Sequence, residues 1–217
     1  MKNRIKKFLS LAVHLAIAGT CFSSDIIEVL PLTNKVIMLH FDDGSVIYPN
    51  TLTVDRLDIA TASLAASYTI TSNDVNYSGG VNPTNVGRKT KGTEFVKDVP
   101  WDVDTGSSNP TGKPWASEHF IYLVLEHALK ADTLYTINTG SLAANGSNFS
   151  FVYSTKGLRS EAVHVNTLGY AANAPKYGYV YHWMGDLGGL NVSAYAGNTF
   201  SVYAEGTAPL FYRYLKL

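Results

Sequence analysis

Residues 120–137 read FIYLVLEHALKADTLYTI, and this stretch decides the fold class. Phe120–Leu125 is a continuous apolar run of strand length, which predicts a core strand. Leu129–Ile137 follows after a short polar turn and predicts the next strand. The same strand–turn–strand pattern starts at residue 35, and 14 Tyr and 18 Gly residues favour strands and turns over helices. The sequence therefore predicts an all-β protein.

Leu129–Ile137 also resembles the segment around the penultimate strand of fibronectin-like and bacterial Ig-like sandwiches. In those folds a tyrosine corner buries its ring and bonds its hydroxyl to the backbone, and the resemblance assigns that role to Tyr135. Asn145-Gly146 predicts the next hairpin turn, and Asn148–Tyr153 the returning strand. Residues 25–157 are therefore predicted to form one Ig/fibronectin-III-like β-sandwich.

Toward the amino terminus, Lys35–Phe41 predicts a strand that ends in a tight hairpin at Asp42-Asp43-Gly44-Ser45, with Val46–Tyr48 returning antiparallel. The paired acids could serve acid–base catalysis or a cation site. Turn chemistry is the simpler interpretation, because Asp-Gly is a turn signal by itself. Ser67–Thr71 predicts a half-buried strand. Residues 72–118 are rich in Gly and Pro and predict a long loop, with short strand pairing near Thr93–Val96.

A second strand series begins after Thr155-Lys156-Gly157. Its predicted strands are Ala162–Val165, Tyr177–Trp183, Asn191–Tyr195 and Phe200–Tyr203. Four strands are fewer than the seven or so that close a sandwich. Residues 158–217 are therefore predicted to be an incomplete second Ig-like module.

This second series resembles the Ig-like module that precedes the catalytic barrel in family-nine (cellulase-type) glycoside hydrolases. Phe200–Tyr203 is similar to a later strand of that module, whereas Thr167 stands where the family has glutamine. The matching positions are Val163, Val165, Asn166, Gly169, Tyr170, Pro175 and Lys176. The resemblance implies an accessory fragment of a secreted enzyme that degrades β-glucan, cut off before its barrel.

The catalytic residues of that family are not in this chain. The barrel has an aspartate-alanine-glycine-aspartate motif and a distant glutamate, and inverting hydrolysis needs two such carboxylates across the scissile bond. This sequence has no such motif. We therefore assign no catalytic residue and expect the chain alone to hydrolyse nothing.

Aromatic residues mark the candidate binding sites. The main candidate is Tyr181, His182, Trp183 and Asp186, and the weaker ones are Trp115 and Trp101 in the predicted loop. The cluster could contact the catalytic barrel, stack on sugar rings, or lie in the core. The alternative function is a stand-alone secreted carbohydrate-binding or surface-adhesion protein, for which Trp183 or Trp115 would be exposed in a groove.

No metal or cofactor is predicted. The histidines have no metal-ligand or nucleophile-elbow spacing: His14, His40, His119, His127, His164 and His182. Glu118-His119 and Glu126-His127 are expected to face water or a sheet edge.

Residues 1–24 have the pattern of a secretory signal, with a basic start and an apolar run, Phe8–Ala18. They predict a secreted, periplasmic or cell-surface protein without a transmembrane segment in the mature chain. Cys21, the one cysteine, could instead carry a lipid anchor. Without residues 1–24 the chain has 13 basic and 17 acidic residues, a net charge of −4, which makes nucleic acid an unsuitable partner.

Overall fold

The computed structural model describes residues 24–47, 51–95, 115–155, 157–166, 168–171, 173–203 and 209–214. Strands make up 44% of the protein and helices 9%, and the sheets are open, which confirms the predicted β class. Within the described residues, no helix has the length and apolar character needed to cross a bilayer. The predicted signal segment, including Cys21, lies outside these residues and stays a prediction.

Thirteen strands and one short helix are described. They are β1 (Asp25–Thr33), β2 (Val36–Asp42), β3 (Gly44–Ile47), β4 (Thr51–Val54), α1 (Ile59–Ala62), β5 (Thr69–Ser72), β6 (Asn85–Phe95), β7 (Trp115–Val124), β8 (Thr133–Asn138), β9 (Asn148–Tyr153), β10 (Val163–Val165), β11 (Gly178–Val180), β12 (Thr199–Tyr203) and β13 (Pro209–Tyr214).

Two antiparallel sheets share the main core. One has the order β1-β2-β7-β6 and the other β5-β8-β9. Side chains alternate between the two faces of a strand, so Ile37, Leu39 and Phe41 of β2 join the main core, whereas Met38 belongs to a second cluster on the other face. The four-stranded sheet is therefore covered on both faces: an inner face toward β5-β8-β9 and an outer face toward the carboxyl-terminal part.

The environment of Tyr135 confirms the predicted tyrosine geometry. Its side chain is fully buried, and its ring meets Tyr77 edge-on at 5.3 Å. The Tyr135 hydroxyl accepts a hydrogen bond from the Lys130 N–H (2.7 Å) and donates one to Asp74 Oδ2 (2.8 Å). Burial raises the pKa of Tyr135 to about 12, so the hydroxyl keeps the proton that it donates.

The predicted hairpin at Asp42–Ser45 is wrong. β2 is a central strand with β1 and β7 on its two edges, so it has no free edge for a returning strand. β3 pairs with β4 instead. Gly44 takes a positive φ of 103°, as a sharp change of direction requires, but it lies at a bend between consecutive strands.

The predicted loop over residues 72–118 is also wrong in part. Residues 85–95 form the eleven-residue strand β6, and residues 115–118 belong to β7. β6 was hard to recognise because it is an edge strand that carries Arg88, Lys89 and Lys91 instead of an apolar alternation. Residues 96–114 lie outside the described part of the chain. The predicted strand Ser67–Thr71 is β5, which begins two residues later.

In the carboxyl-terminal part, β10 pairs with β11 and β12 with β13, as two separate two-stranded sheets. The predicted strands at Ala162–Val165 and Phe200–Tyr203 are confirmed as β10 and β12, and β13 was not predicted. The strand predicted at Tyr177–Trp183 is shorter, and the one at Asn191–Tyr195 is wrong. Residues 193–195 form a 3-10 turn, because the Asn191 side chain accepts the Ser193 N–H (3.0 Å).

Residues 184–190 attach this part to the outer face of the four-stranded sheet. Met184, Leu187 and Leu190 pack in the second cluster, which also contains Leu30 and Tyr122. Gly185 has φ +66°, and a Cβ there would lie 1.9 Å from the Arg88 carbonyl oxygen. Only glycine permits this close approach of the two backbones.

Candidate functional site

Four aromatic residues alternate along one extended segment. Tyr177, Tyr179, Tyr181 and Trp183 are 62%, 62%, 60% and 62% exposed. We call them the aromatic row. Between them Val180 and His182 are half-buried, and Met184 is buried. Alternate residues of an extended chain point to opposite sides, so the row faces solvent while the residues between it face the protein. The core location considered for Tyr181 and Trp183 is therefore wrong.

The pairing of β10 with β11 fixes the middle of the aromatic row. His164 lies opposite Tyr179 in the register. The His164 ring stacks on Tyr181 with a centroid separation of 4.1 Å and an interplanar angle of 20°. His164 Nε2 donates to the Tyr181 carbonyl (3.0 Å), and the Tyr181 N–H donates to the Ala162 carbonyl (3.0 Å). These contacts fix the orientation of the Tyr181 ring.

His182 points to the opposite side and anchors the segment. Its Nδ1 lies 3.3 Å from the Glu161 carbonyl, and its Nε2 lies 3.1 Å from the Tyr122 hydroxyl. A carbonyl can only accept, so Nδ1 carries the proton of the neutral ring and Nε2 accepts from Tyr122. Burial lowers the pKa of His182, which favours this neutral form. Both ring nitrogens are occupied, and His182 is a structural contact.

Asp186 also has a structural contact. Its Oδ1 accepts the Arg88 backbone N–H at 2.6 Å. This bond joins the turn after Trp183 to the edge strand β6. The four predicted residues therefore separate into two exposed rings, Tyr181 and Trp183, and two residues with structural hydrogen bonds, the half-buried His182 and the exposed Asp186. Of the weaker candidates, Trp115 begins β7 and Trp101 lies outside the described residues.

A groove lies beside the aromatic row. Its volume is about 700 Å³, within the usual range for ligand sites. Tyr177 and Tyr179 border it, and Val163 and Val165 of β10 line it. In the register Val163 and Val165 lie opposite Val180 and Gly178, so they are on the other face of the hairpin from the Tyr179 ring. The groove is also lined by Pro31, Leu32, Tyr153, Leu158 and Tyr195. The exposed rings are thus on one face of the hairpin and the largely apolar recess is on the other.

The charged rim of the groove is held by ion pairs. Arg159 Nη2 lies 2.9 Å from Glu28 Oε1, and Arg159 Nη1 lies 2.5 Å from Glu161 Oε1. The hydrogen bond to Glu28 raises the pKa of Arg159. These pairs are exposed, so their net contribution to stability is small. The rest of the lining is mostly aromatic and aliphatic, with polar side chains such as Asn34, Thr155 and Lys176 among them.

Sequence reasoning missed half of the aromatic row. The signal was the alternation Tyr-Gly-Tyr-Val-Tyr-His-Trp over 177–183, which places every second residue on one side of a strand. It also missed a buried hydrogen bond between Asp43 and His119, whose nearest side-chain atoms are 3.2 Å apart. His119 was expected to face water or a sheet edge, which is wrong, because it is buried on the inner strand β7. Glu126 and His127 are exposed, as expected.

Across the described ranges, no group of three His, Cys, Asp or Glu side chains is arranged to hold a metal ion. In comparisons with known proteins, no family model, no curated protein and no solved structure matches this chain.

Proposed function

We propose that this chain is the amino-terminal accessory region of a secreted, family-nine (cellulase-type) glycoside hydrolase, and that it holds β-glucan through the aromatic row. The observation that carries the proposal is the alternation of four exposed rings at Tyr177, Tyr179, Tyr181 and Trp183. The motif match around Val163–Lys176 supports the choice of family.

The physical argument rests on the shape and spacing of the rings. A pyranose has two apolar faces, and flat aromatic side chains cover such faces with large contact areas. Alternate residues of a strand are about 6.7 Å apart, so the aromatic row spans roughly 20 Å. Such a row fits an extended polymer better than a compact small molecule. Exposed apolar surface of this extent is typical of an interaction site.

The proposal also includes a more specific fold, which rests on the arrangement of the sheets and on Tyr135. Two packed antiparallel sheets and the hydrogen bonds of Tyr135 support an Ig/fibronectin-III-like sandwich for residues 25–157. The short sheets β10-β11 and β12-β13 support an incomplete Ig-like module over residues 158–217. In this arrangement hydrolysis belongs to a separate catalytic barrel, which is the proposed partner, and this chain supplies contact with the polysaccharide.

A depletion assay tests the glycan contact. Purified chain beginning at residue 25 is mixed with insoluble cellulose, and soluble β-glucan oligosaccharides are titrated by calorimetry. We expect Trp183→Ala and Tyr179→Ala each to weaken binding about tenfold, because each removes one stacking ring. Leu134→Ala is the matched control, since Leu134 is also exposed (53%) but lies on β8. Equal binding by all variants, or none by the wild type, would contradict the proposal.

The second candidate is a stand-alone secreted carbohydrate-binding or adhesion protein. The exposure of Trp183 favours it equally, because a binding protein needs the same surface. Reading the gene downstream of the Leu217 codon separates the two. An in-frame barrel with the paired-aspartate motif supports the accessory region, whereas a genuine stop codon favours the stand-alone protein.

A further inference from the structure

A chain of polar side chains crosses the inner face of the four-stranded sheet, away from the aromatic row. Asp43 Oδ2 lies 3.2 Å from His119 Nε2, and His119 Nδ1 lies 2.9 Å from the Thr90 hydroxyl. Arg88 Nη1 is hydrogen-bonded to that same hydroxyl. Thr90 and His119 are direct partners in the β6–β7 register. Four residues from two strands, β6 and β7, and from the bend at Asp43 therefore form one continuous network.

When His119 is neutral, the chemistry of the groups decides which atom donates and which accepts in each hydrogen bond of the network. A guanidinium can only donate, so the Thr90 oxygen accepts from Arg88. A carboxylate can only accept, so His119 carries its proton on Nε2 and presents a lone pair at Nδ1. The Thr90 O–H then donates to Nδ1. The hydroxyl proton already points at a base, and a fixed cation lies beside the oxygen.

The base is buried, and the residue that carries the hydroxyl is exposed. The side chains of Asp43 and His119 are 2% and 4% exposed, whereas Thr90 is exposed on the edge strand β6. Asp43 is held in place by the Leu57 N–H, which donates to its Oδ1 at 3.0 Å. Burial alone would raise the pKa of Asp43, but hydrogen bonds from His119 and Leu57 outweigh this and lower it. The carboxylate is therefore charged at neutral pH and orients the imidazole.

We propose that Thr90 is a nucleophile toward small carboxylic esters, with His119 as its general base and Asp43 as a positioning residue. An activated hydroxyl needs a base within hydrogen-bond reach and a third group that orients the base, and these three residues have that arrangement. The site is separate from the aromatic row and does not depend on glycan binding.

The reaction balances without a cofactor. The Thr90 oxygen attacks the ester carbonyl carbon, its proton moves to His119 Nδ1, and the carbonyl electron pair moves onto the carbonyl oxygen. The intermediate collapses, the bond to the alkoxy group breaks, and that group takes the proton from Nδ1 as an alcohol. Acyl-Thr90 remains. Water then attacks the acyl carbon and gives a proton to His119 Nδ1. The bond to the Thr90 oxygen breaks, that oxygen takes the proton back from Nδ1, and the carboxylic acid is released. The Arg88 guanidinium donates to the Thr90 oxygen, whereas the negative charge of the intermediate develops on the carbonyl oxygen of the ester.

The test is covalent labelling of the chain beginning at residue 25 with p-nitrophenyl acetate, followed by peptide mass spectrometry. We expect acetyl-Thr90 to form about 100-fold faster than acetylation of Thr71, an exposed strand threonine without a histidine partner. Thr90→Ser should keep the labelling, and Thr90→Val should abolish it. Absence of both acetyl-Thr90 and p-nitrophenolate release in the wild type, or equal labelling of Thr71, would overturn the proposal.

The roles of the partner residues need a finer measurement. His119→Gln should lower the maximal labelling rate about 100-fold, and Asp43→Asn should lower that rate while leaving the half-saturating probe concentration unchanged. Each variant is first checked for a cooperative unfolding transition. If His119→Gln and Asp43→Asn do not fold, Thr90→Ser tests the proposal instead, because it keeps the hydroxyl and leaves His119, Asp43 and Arg88 unchanged. A serine variant that is labelled no faster than Thr71 would also overturn the proposal.

Discussion

Residues 24–155 and the carboxyl-terminal part from residue 157 onward differ in where their apolar side chains lie. In the first region Ile37, Tyr135 and Ile137 are fully buried between two sheets. In the second, Leu168 is 97% exposed and Val165 is 61% exposed. Two-stranded sheets are marginal alone. The first region is stabilised by its own core, whereas the second presents apolar surface, which is typical of residues that bind something else.

The largest expected effect comes from the core of the first region. Ile121→Ala removes buried methyl groups from β7 and should lower the free energy of unfolding by about 4 kcal/mol. Val165→Ala is the control in the exposed hairpin and should change it by less than about 0.5 kcal/mol. Urea unfolding measures both. Similar losses for the two variants would break the comparison, since they would mean that β10 carries as much stability as β7.

A smaller loss in the free energy of unfolding should follow from a change at Asp43, a buried polar residue of the same region. Asp43→Asn removes a buried carboxylate that contacts both His119 and Arg56 and should cost about 3 kcal/mol at pH 7. The pKa of Asp43 is held below its ordinary 3.8. The Asp43 carboxylate therefore contributes fully to the free energy of unfolding above pH 3.8. This contribution is lost as the pH falls through 3.8 toward the pKa of Asp43 in the folded state.

Urea unfolding of the wild type and Asp43→Asn at pH 7 and pH 3 measures this dependence. The difference between the two proteins should narrow at pH 3. Asp25→Asn, an exposed aspartate on β1, is the control and should differ little from the wild type at pH 7. A difference of the same size at both pH values would mean that the Asp43 charge contributes nothing.

The smallest effect should come from the junction between the two regions. Gly185 and Gly188 both have positive φ, 66° and 75°, so alanine strains the backbone at either position. Only Gly185→Ala adds a collision, with its Cβ 1.9 Å from the Arg88 carbonyl oxygen. It should therefore destabilise the protein by about 2 kcal/mol more than Gly188→Ala.

Hydrogen exchange of the Arg88 amide, which donates to Asp186, reports the junction directly. Gly185→Ala should expose this amide to exchange while the amides of β8 stay protected. Equal exchange in the two glycine variants would show that residues 184–190 do not dock on β6 through close packing.

The local sequence pattern was sufficient to predict several features of the fold. Phe120–Leu125 was recognised because a buried strand needs a continuous apolar run, and Tyr135 because its neighbours have the pattern of a known corner. β6 was missed because an edge strand needs no such run. The Asp43–His119 pair was missed because 76 residues separate its members. A single sequence does not show which residues far apart along the chain are in contact in the fold.

By itself the sequence determined the β class, the tyrosine contact with the backbone and the alternation of rings from Tyr177 to Trp183, because each depends on neighbours along one strand. Only the tertiary structure decided which side of that segment faces solvent. His182 and Met184 pack onto the outer face of the four-stranded sheet and thereby turn the rings outward. That choice depends on contacts with β2 and β7, which are distant in sequence, so local periodicity cannot specify it.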